Sequence, residues 1–239
     1  MADNRLTIAC NIAQMFKNGD FVNLGVGIPT MVSNFIPSDI TVLLHGENGQ
    51  VGQDVAFSID KADLPEWEKT RSGENGYWRN GHKDLGNAGN QKVSLIPGGC
   101  CFDSSISFAM ARGGHLDATV LGGLQVDTEG NLANWIVPGK KMPGMGGAMD
   151  LVSNARRVIV AMEHTSKDGT PKLLEKCTFP LTAINCVSTV VTELAVIDCV
   201  DGKFVVKAMA PGVTREELQA KTGAPLTFAD HVSEMIIPE

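Results

Sequence analysis

The chain has 239 residues, 43% of them hydrophobic, which is enough to bury the core of one large domain. Its net charge of −7 at pH 7 excludes a broad basic surface, so we expect no nucleic-acid partner. The sequence has no apolar run of membrane-spanning length, and its N-terminus lacks the apolar stretch of a signal peptide. We therefore expect a cytoplasmic protein that does not associate with a membrane.

Apolar periodicity and turn residues predict helices that alternate with strands along the whole chain. The first half predicts a helix from Asp3 or Asn4 to Gly19, a strand at 21–24, a helix from Pro29 to about Phe35, a strand at 40–44, a strand at 93–96 and a helix at 104–112. The second half predicts strands at 118–126, 157–162, 187–192, 195–200 and 203–209, and helices at 149–155 and from Thr214 onward. This alternation predicts an α/β fold with an open, mainly parallel sheet flanked by helices.

Residues 60–90 interrupt this pattern with Asp, Glu, Lys, Arg, Gly and Trp. We interpret the segment as a long polar insertion or lid-like loop within a single domain of residues 1–239. It contains a Glu-Asn-Gly triplet at Glu74, but no core strand precedes that triplet to fix its geometry. We therefore interpret Glu74 as a solvated loop residue.

A second Glu-Asn-Gly triplet, at Glu47, follows the predicted strand 40–44 directly. A carboxylate at the end of a core strand lies where α/β folds usually place their chemistry. The glycines Gly46 and Gly49 on either side let a ligand or another backbone come close. Glu47 is therefore the leading candidate for a reactive side chain.

A glycine turn at Gly146-Gly147 precedes the predicted helix 149–155. Backbone N–H groups at a helix start can stabilise negative charge that develops on a reacting oxygen, and glycine leaves the approach open. The same two glycines would also permit close packing between helix and sheet. The spacing alone does not separate these alternatives.

Other site classes lack their motifs in this chain. Neither Gly25-Val26-Gly27 nor Gly144-Met145-Gly146 completes G-x-G-x-x-G, and the phosphate-binding G-x-x-x-x-G-K-[ST] is missing. The five histidines lack the spacing of metal ligands, so we expect no metal site. We interpret one of them, His45, as a hydrogen-bonded, partly buried imidazole. The six cysteines form no C-x-x-C pair, and several lie in apolar runs, which predicts buried free thiols in a reducing compartment.

Taken together, several segments resemble the beta (B) subunit of class I CoA-transferases, the 3-oxoacid CoA-transferase family. The resemblance covers nearly the whole chain and rests on six matches in the same order, at 22–30, 47–49, 112–115, 130–135 with 138–140, 144–152 and 176–182. The sequence differs from the usual family pattern at two positions. Gly46 precedes the glutamate where members commonly have Ser, and Asn90 follows Asn87-Ala88-Gly89 where some members have Lys.

The resemblance implies roles for specific residues. Glu47 would be the covalent nucleophile, Gly147 would donate a backbone N–H to the oxyanion, and Asn23 would lie in the active site. The matching segments also imply substrate or CoA contacts for Gly25, Gly27, Asn48, Gly49 and Gly146. A second oxyanion donor would come from an alpha subunit, so we expect a heterotetramer or larger complex.

The implied activity is ping-pong transfer of CoA between a short-chain acyl-CoA and a carboxylic acid through a glutamyl-CoA thioester. Acetoacetate with butyrate or acetate is the expected pair, and coenzyme A is a substrate, so no cofactor is expected. The alternatives are a succinyl-CoA:3-oxoacid CoA-transferase subunit, an acyl-CoA hydrolase on the same scaffold, and a non-catalytic effector-binding subunit.

Overall fold

A computed structural model describes residues 3–54, 77–78, 81–82, 84–139 and 144–238. The helices are α1 (Asn4–Ala13), α2 (Ile28–Met31), α3 (Ser104–Arg112), α4 (Ala148–Ser153) and α5 (Arg215–Ala220), with a 3₁₀ turn at Val32–Phe35. The strands are β1 (Phe21–Leu24), β2 (Leu43–Gly46), β3 (Gln50–Gln53), β4 (Tyr77–Trp78), β5 (Gly81–His82), β6 (Leu95–Cys101), β7 (Ala118–Gly122), β8 (Gln125–Asp127), β9 (Leu132–Ala133), β10 (Val158–Ala161), β11 (Leu173–Leu174), β12 (Thr189–Val191), β13 (Ala195–Val200), β14 (Lys203–Met209) and β15 (Leu226–Glu234).

Ten of the described strands form one sheet in the order β15-β14-β13-β12-β10-β7-β1-β2-β3-β6. The five central strands, from β12 to β2, run parallel. β3 and β6 continue the sheet antiparallel on one side, and β13 and β14 do so on the other, with β15 parallel to β14. The predicted α/β fold with a mainly parallel sheet is confirmed.

Both faces of the central sheet are buried, as a parallel sheet requires. Along β10, Val158 and Val160 pack into one apolar cluster, and Ile159 and Ala161 pack into a second cluster on the opposite face. The second cluster also contains the apolar side of α1. This burial fixes β1, β2 and β7 side by side, so that their carboxyl ends meet at one edge of the sheet.

Several predicted elements have the predicted bounds. The strands 21–24, 195–200 and 203–209 and the helix 104–112 are confirmed residue for residue. Asp103 caps α3 by accepting a hydrogen bond from the Ser105 amide, and Thr214 caps α5 through the Glu217 amide. The capping residues were therefore sufficient to predict where these two helices begin.

Other predicted bounds are wrong, each for a local reason. The first helix ends at Ala13 rather than Gly19, because the next residues form turns that bond back to Ile12 and Ala13. The strand at 40–44 begins only at Leu43, since the Ile40 amide bonds to Pro37 within a turn. The predicted strand 118–126 is two strands, β7 and β8, that belong to different sheets and are separated at Gly123.

Three further expectations meet different outcomes. Glu74 and most of the predicted polar insertion lie outside the described residues. Burial of the thiols is wrong for Cys100 and Cys101, which are exposed on β6, whereas Cys10 is buried. Every helix in the described part of the chain is too short or too polar to span a bilayer.

Candidate active site

A cavity of about 400 Å³ opens where the carboxyl ends of β1, β2 and β7 meet. Its walls come from the residues that follow these three strands and from the turn before α4. The lining residues are Gly25, Val26, Glu47, Ala88, Leu121, Gly122, Gly123, Leu124, Asn134, Met145, Gly146, Gly147, Ala148 and Leu151. Glu47 is the one ionisable side chain among them.

Glu47 lies in a tight turn between β2 and β3. The Gly49 amide donates to the Gly46 carbonyl at 2.9 Å and closes this turn, and the Phe102 amide donates to the Gly49 carbonyl at 2.9 Å. Gly49 has a φ of 112°, and a Cβ there would collide with the Phe102 carbonyl oxygen. The turn therefore needs glycine at 49, and its closure directs the Glu47 side chain into the cavity.

The Gly147 peptide lies directly against the Glu47 carboxylate. A Cβ built on Gly147 would be 3.0 Å from Glu47 Oε2 and 2.6 Å from the Phe108 ring. Gly147 precedes α4 as its N-cap residue, and its own N–H makes no hydrogen bond with any described residue. The position thus meets a packing requirement, through Phe108, and brings the Gly147 backbone close to the Glu47 carboxylate.

Burial controls the electrostatics of Glu47. Desolvation raises the pKa of its carboxyl group above the ordinary value. Within the described part of the chain, nothing donates a hydrogen bond to this carboxylate. A half-buried, weakly solvated carboxylate of this kind is a better nucleophile than a fully hydrated one, because less water must leave before it attacks.

The other candidate residues divide into two groups. Gly25 and Gly146 line the cavity with Glu47 and Gly147, whereas Asn23, Gly27, Asn48 and Gly49 do not. The exposed Asn48 side chain donates to the Gly86 carbonyl at 2.7 Å, which ties the Glu47 turn to the segment before Asn87. Asn23 is buried beneath the site and bonds to His45.

His45 is wholly buried, and its ring nitrogens contact the Asn23 and Ser107 side chains at 3.1 and 2.7 Å. Burial lowers the pKa of this imidazole, with a smaller opposing effect from the Ser107 backbone carbonyl. The interpretation of His45 as a hydrogen-bonded core residue is confirmed, with more complete burial than expected.

The two departures from the family pattern also have a structural setting. A Cβ at Gly46 would lie 2.7 Å from Asn48 Oδ1 and 2.8 Å from Gln50 Cγ, so glycine fits the turn as it stands. Asn90 adopts a left-handed φ of 59° in a turn whose Ala88 lines the cavity. The segment in which Asn90 replaces the Lys of some members therefore borders the site.

Sequence reasoning missed the residues that support the site from α3. Ser107 contacts His45 and the Gly46 carbonyl, and Phe108 packs against Gly147. Neither side chain belongs to a reactive motif, and both looked like ordinary helix positions. The cavity wall at Leu121 to Leu124 was also missed, although Gly122-Gly123 marked an end of a strand there.

Comparison with known proteins places this chain in a family. The family model described as Coenzyme A transferase matches residues 78–221. The acetate CoA-transferase subunit beta of Haemophilus influenzae is 49% identical over 97% of this chain and 95% of the relative. A mitochondrial succinyl-CoA:3-ketoacid coenzyme A transferase 2 of Homo sapiens is 43% identical over 98% of this chain but only 42% of the relative.

Solved structures agree on the fold. The acyl-CoA transferase YdiF apoenzyme from Escherichia coli O157:H7 aligns with a TM-score of 0.71 and 19% identity, covering 98% of this chain and 43% of that one. The decarboxylase AibA/AibB aligns with a TM-score of 0.66 and 16% identity, covering 100% of this chain and 91% of that one. At these identities the likeness shows the fold alone, and chemistry must be argued from the site.

The fold and the curated relatives define a CoA-transferase. The chain belongs to the coenzyme A transferase family, and its bacterial relatives of matching length are named as beta or B subunits. The predicted resemblance to a class I beta subunit is confirmed. The names of these relatives support transfer of CoA between an acyl-CoA and a carboxylic acid as the activity.

Proposed function

We propose that this chain carries the nucleophile of a heteromeric CoA-transferase that exchanges CoA between a short-chain acyl-CoA and a carboxylic acid. The observation that supports this most directly is the approach of Gly147 to Glu47. A half-buried carboxylate without a hydrogen-bond donor among the described residues lies close to the Gly147 backbone, whose N–H makes no hydrogen bond with any described residue, and both line a cavity of about 400 Å³. A nucleophile beside an oxyanion donor is what acyl transfer needs.

The proposed reaction begins with attack by a Glu47 carboxylate oxygen on the thioester carbonyl. The carbonyl π electrons move to oxygen, and collapse of this intermediate expels CoA thiolate and leaves a mixed anhydride. The thiolate then attacks the Glu47 carbonyl of the anhydride, which releases the donor acid and forms a Glu47-CoA thioester. The acceptor carboxylate reverses these steps. The thioester bond already activates the acyl group, so we propose that no metal or redox cofactor takes part. CoA is proposed to be a substrate.

Gly147 is proposed to stabilise the oxyanion of each tetrahedral intermediate through its backbone N–H. Gly146, with a left-handed φ of 59°, shapes the turn that presents this donor. Gly25 is proposed to form part of the substrate wall, because it lines the same cavity. The CoA contacts proposed for Asn23, Gly27, Asn48 and Gly49 rest on the family resemblance.

An alpha subunit is proposed to complete the site in a heterotetramer or larger complex. The subunit names of the bacterial relatives imply such a partner. Val26, which lines the cavity, is 62% exposed, and Met149, next to the lining residue Ala148 on α4, is 54% exposed. These two exposed apolar side chains are compatible with a partner that covers this side of the site.

The proposed substrates are acetoacetate with butyrate or acetate, and succinate is the second choice. The cavity wall is formed mainly by glycine, alanine, leucine and methionine, which suits a small, largely apolar acyl group. We also propose a reducing compartment such as the cytoplasm, because all six cysteines are free thiols.

The test is a panel of acyl-CoA donors and carboxylate acceptors, assayed with the chain alone, the co-expressed alpha subunit alone, and the purified complex. We expect new acyl-CoA only from the complex, with short-chain pairs fastest. Free CoA without new acyl-CoA would indicate a hydrolase, and binding without turnover would indicate an effector subunit. Full activity from the single chain would contradict the shared site.

A further inference from the structure

A continuous path of buried hydrogen bonds crosses the floor of the site. Thr119 on β7 contacts the Asn23 side-chain oxygen at 3.3 Å, and the Asn23 amide contacts His45 Nδ1 at 3.1 Å. His45 Nε2 contacts Ser107 Oγ at 2.7 Å, and Ser107 Oγ contacts the Gly46 carbonyl at 2.8 Å. All four side chains are at most 1% exposed. The path therefore joins three strands and α3 to the residue just before Glu47.

The donors and acceptors of this path have one consistent direction. The Asn23 amide can only donate, so His45 Nδ1 accepts, and a neutral imidazole then carries its proton on Nε2. That proton is donated to Ser107 Oγ, which leaves the Ser107 hydroxyl proton for the Gly46 carbonyl. The lowered pKa of His45 agrees with a neutral ring. Every donor and acceptor in the path then has a hydrogen-bond partner, and none of the side chains is charged.

The path ends on the peptide that determines where the Glu47 side chain starts. Ser107 holds the Gly46 carbonyl, and the next residue on α3, Phe108, packs against Gly147. One helix thus contacts both the nucleophile turn and the proposed oxyanion donor. Fixing these two contacts to the same rigid element fixes the distance between Glu47 and Gly147.

We propose that His45 and Ser107 are positioning residues that hold the Gly46–Glu47 peptide so that the carboxylate stays close to Gly147, an assignment that rests on the proposed function. Neither side chain touches the cavity, and neither transfers a proton in the reaction. Their contribution is geometric: displacement of a reacting group by about 1 Å can reduce a rate by roughly 10²-fold.

The test compares variants in the complex with the alpha subunit, by kcat, KM and the rate of CoA adduct formation on Glu47. Ser107→Ala and His45→Leu break the path, and we expect kcat and the adduct rate to fall by roughly 10–10²-fold with a smaller change in KM. Ser107→Thr keeps the hydroxyl, and His45→Gln keeps a donor near Nε2 without an ionisable ring, so both should recover most of the rate. Ser104→Ala, the same change at an exposed position of α3, should leave the rate unaltered.

Two outcomes overturn the proposal. If His45→Gln loses as much as His45→Leu, the imidazole does more than position the peptide. If Ser107→Ala retains full kcat, the path does not hold the nucleophile. Crystal structures of the wild-type and Ser107→Ala complexes supply a readout without activity, because we expect the Glu47 carboxylate to move away from Gly147. If the carboxylate does not move in Ser107→Ala, the positioning proposal is wrong, and this readout holds even for a complex without activity. Absence of CoA transfer by the wild-type complex would instead refute the proposed function.

Discussion

The two walls of the cavity are held in place in different ways. The Glu47 wall is fixed by directional polar contacts: the Gly46 carbonyl accepts from Gly49 and Ser107, and Asn48 donates to the Gly86 carbonyl. The Gly147 wall depends on packing, with the Phe108 ring below it and the exposed Arg112–Asp150 ion pair at 2.9 Å beyond it. An exposed ion pair of this kind contributes little to stability.

This difference indicates which part of the site the chain determines by itself. Directional hydrogen bonds restrain the Glu47 turn more tightly than packing over an aromatic ring restrains the Gly147 turn. The Gly147 wall also carries exposed Met149, where the partner is proposed to bind. We therefore expect the Glu47 wall to be complete in the single chain and the Gly147 wall to depend on the complex.

The largest effect should come from the proposed nucleophile, Glu47. Glu47→Gln replaces the attacking oxygen with an amide that cannot form the anhydride, so transfer by the complex should fall to background while the fold is retained. The measurement is acyl-CoA formation, with circular dichroism as the check on folding. Glu216→Gln, the same change at an exposed position of α5, is the matched control, and Glu74→Gln should also be nearly silent. Equal losses at Glu47 and Glu74 would show that the wrong triplet was chosen.

Removing the proposed oxyanion donor should have the next largest effect. Gly147 has a φ of −84°, close to the range of proline, so the backbone admits Gly147→Pro, which deletes the N–H. Proline also brings a Cβ against Phe108, so its loss of turnover is measured relative to that of Gly147→Ala, which has the same Cβ and keeps the N–H. We expect turnover of the complex to drop by roughly 10²–10³-fold. A folded variant with normal turnover would remove Gly147 from the mechanism.

The packing of the same wall can be tested separately from its N–H group. Gly147→Ala keeps the donor but places a methyl group 2.6 Å from the Phe108 ring, so we expect lower stability and lower turnover. Phe108→Leu in the same chain should make room for that methyl group and restore part of both. A double-mutant cycle on kcat and on the free energy of unfolding measures this coupling. Strict additivity would contradict the proposed contact.

The smallest effect concerns stability and pH. Burial raises the pKa of Glu47 in the folded chain above its unfolded value, so ionisation of Glu47 opposes folding above that folded pKa. Glu47→Gln should therefore raise the free energy of unfolding near neutral pH, and the gain should disappear as the pH falls through the folded pKa toward the ordinary value of 4.5. Urea unfolding across this range measures the difference. A loss of stability at neutral pH would contradict the sign of the shift.

Local chemistry allowed much of the fold to be predicted from the sequence. The capped helix α3, the hairpin of β13 and β14 and the strand β1 followed from side-chain patterns alone. The break between β7 and β8 did not, because it depends on the approach of Gly123 to Val160, which is a tertiary contact. The edge strand β15 was missed for a similar reason: most of its residues are exposed, so it shows no strong apolar pattern.

Candidate site residues could be predicted only where the residue type and its neighbours in the sequence indicate a reactive group. Glu47 could be recognised as a carboxylate directly after a predicted strand. The Gly146-Gly147 turn could be recognised as the start of a predicted helix. Ser107 and Phe108 were not visible, since their importance comes from what they touch across 61 and about 40 residues of chain, respectively. Sequence patterns thus selected the candidate reacting groups but not the helix that contacts both of them.

The most direct test of the account is to locate the covalent adduct. The complex is incubated with acyl-CoA donor and no acceptor, quenched, digested and analysed by mass spectrometry. The account predicts CoA in thioester linkage on the peptide that carries Glu47, lost in Glu47→Gln. CoA attached instead to Cys100 or Cys101, the exposed thiols on β6, or full transfer without any adduct on Glu47, would contradict it.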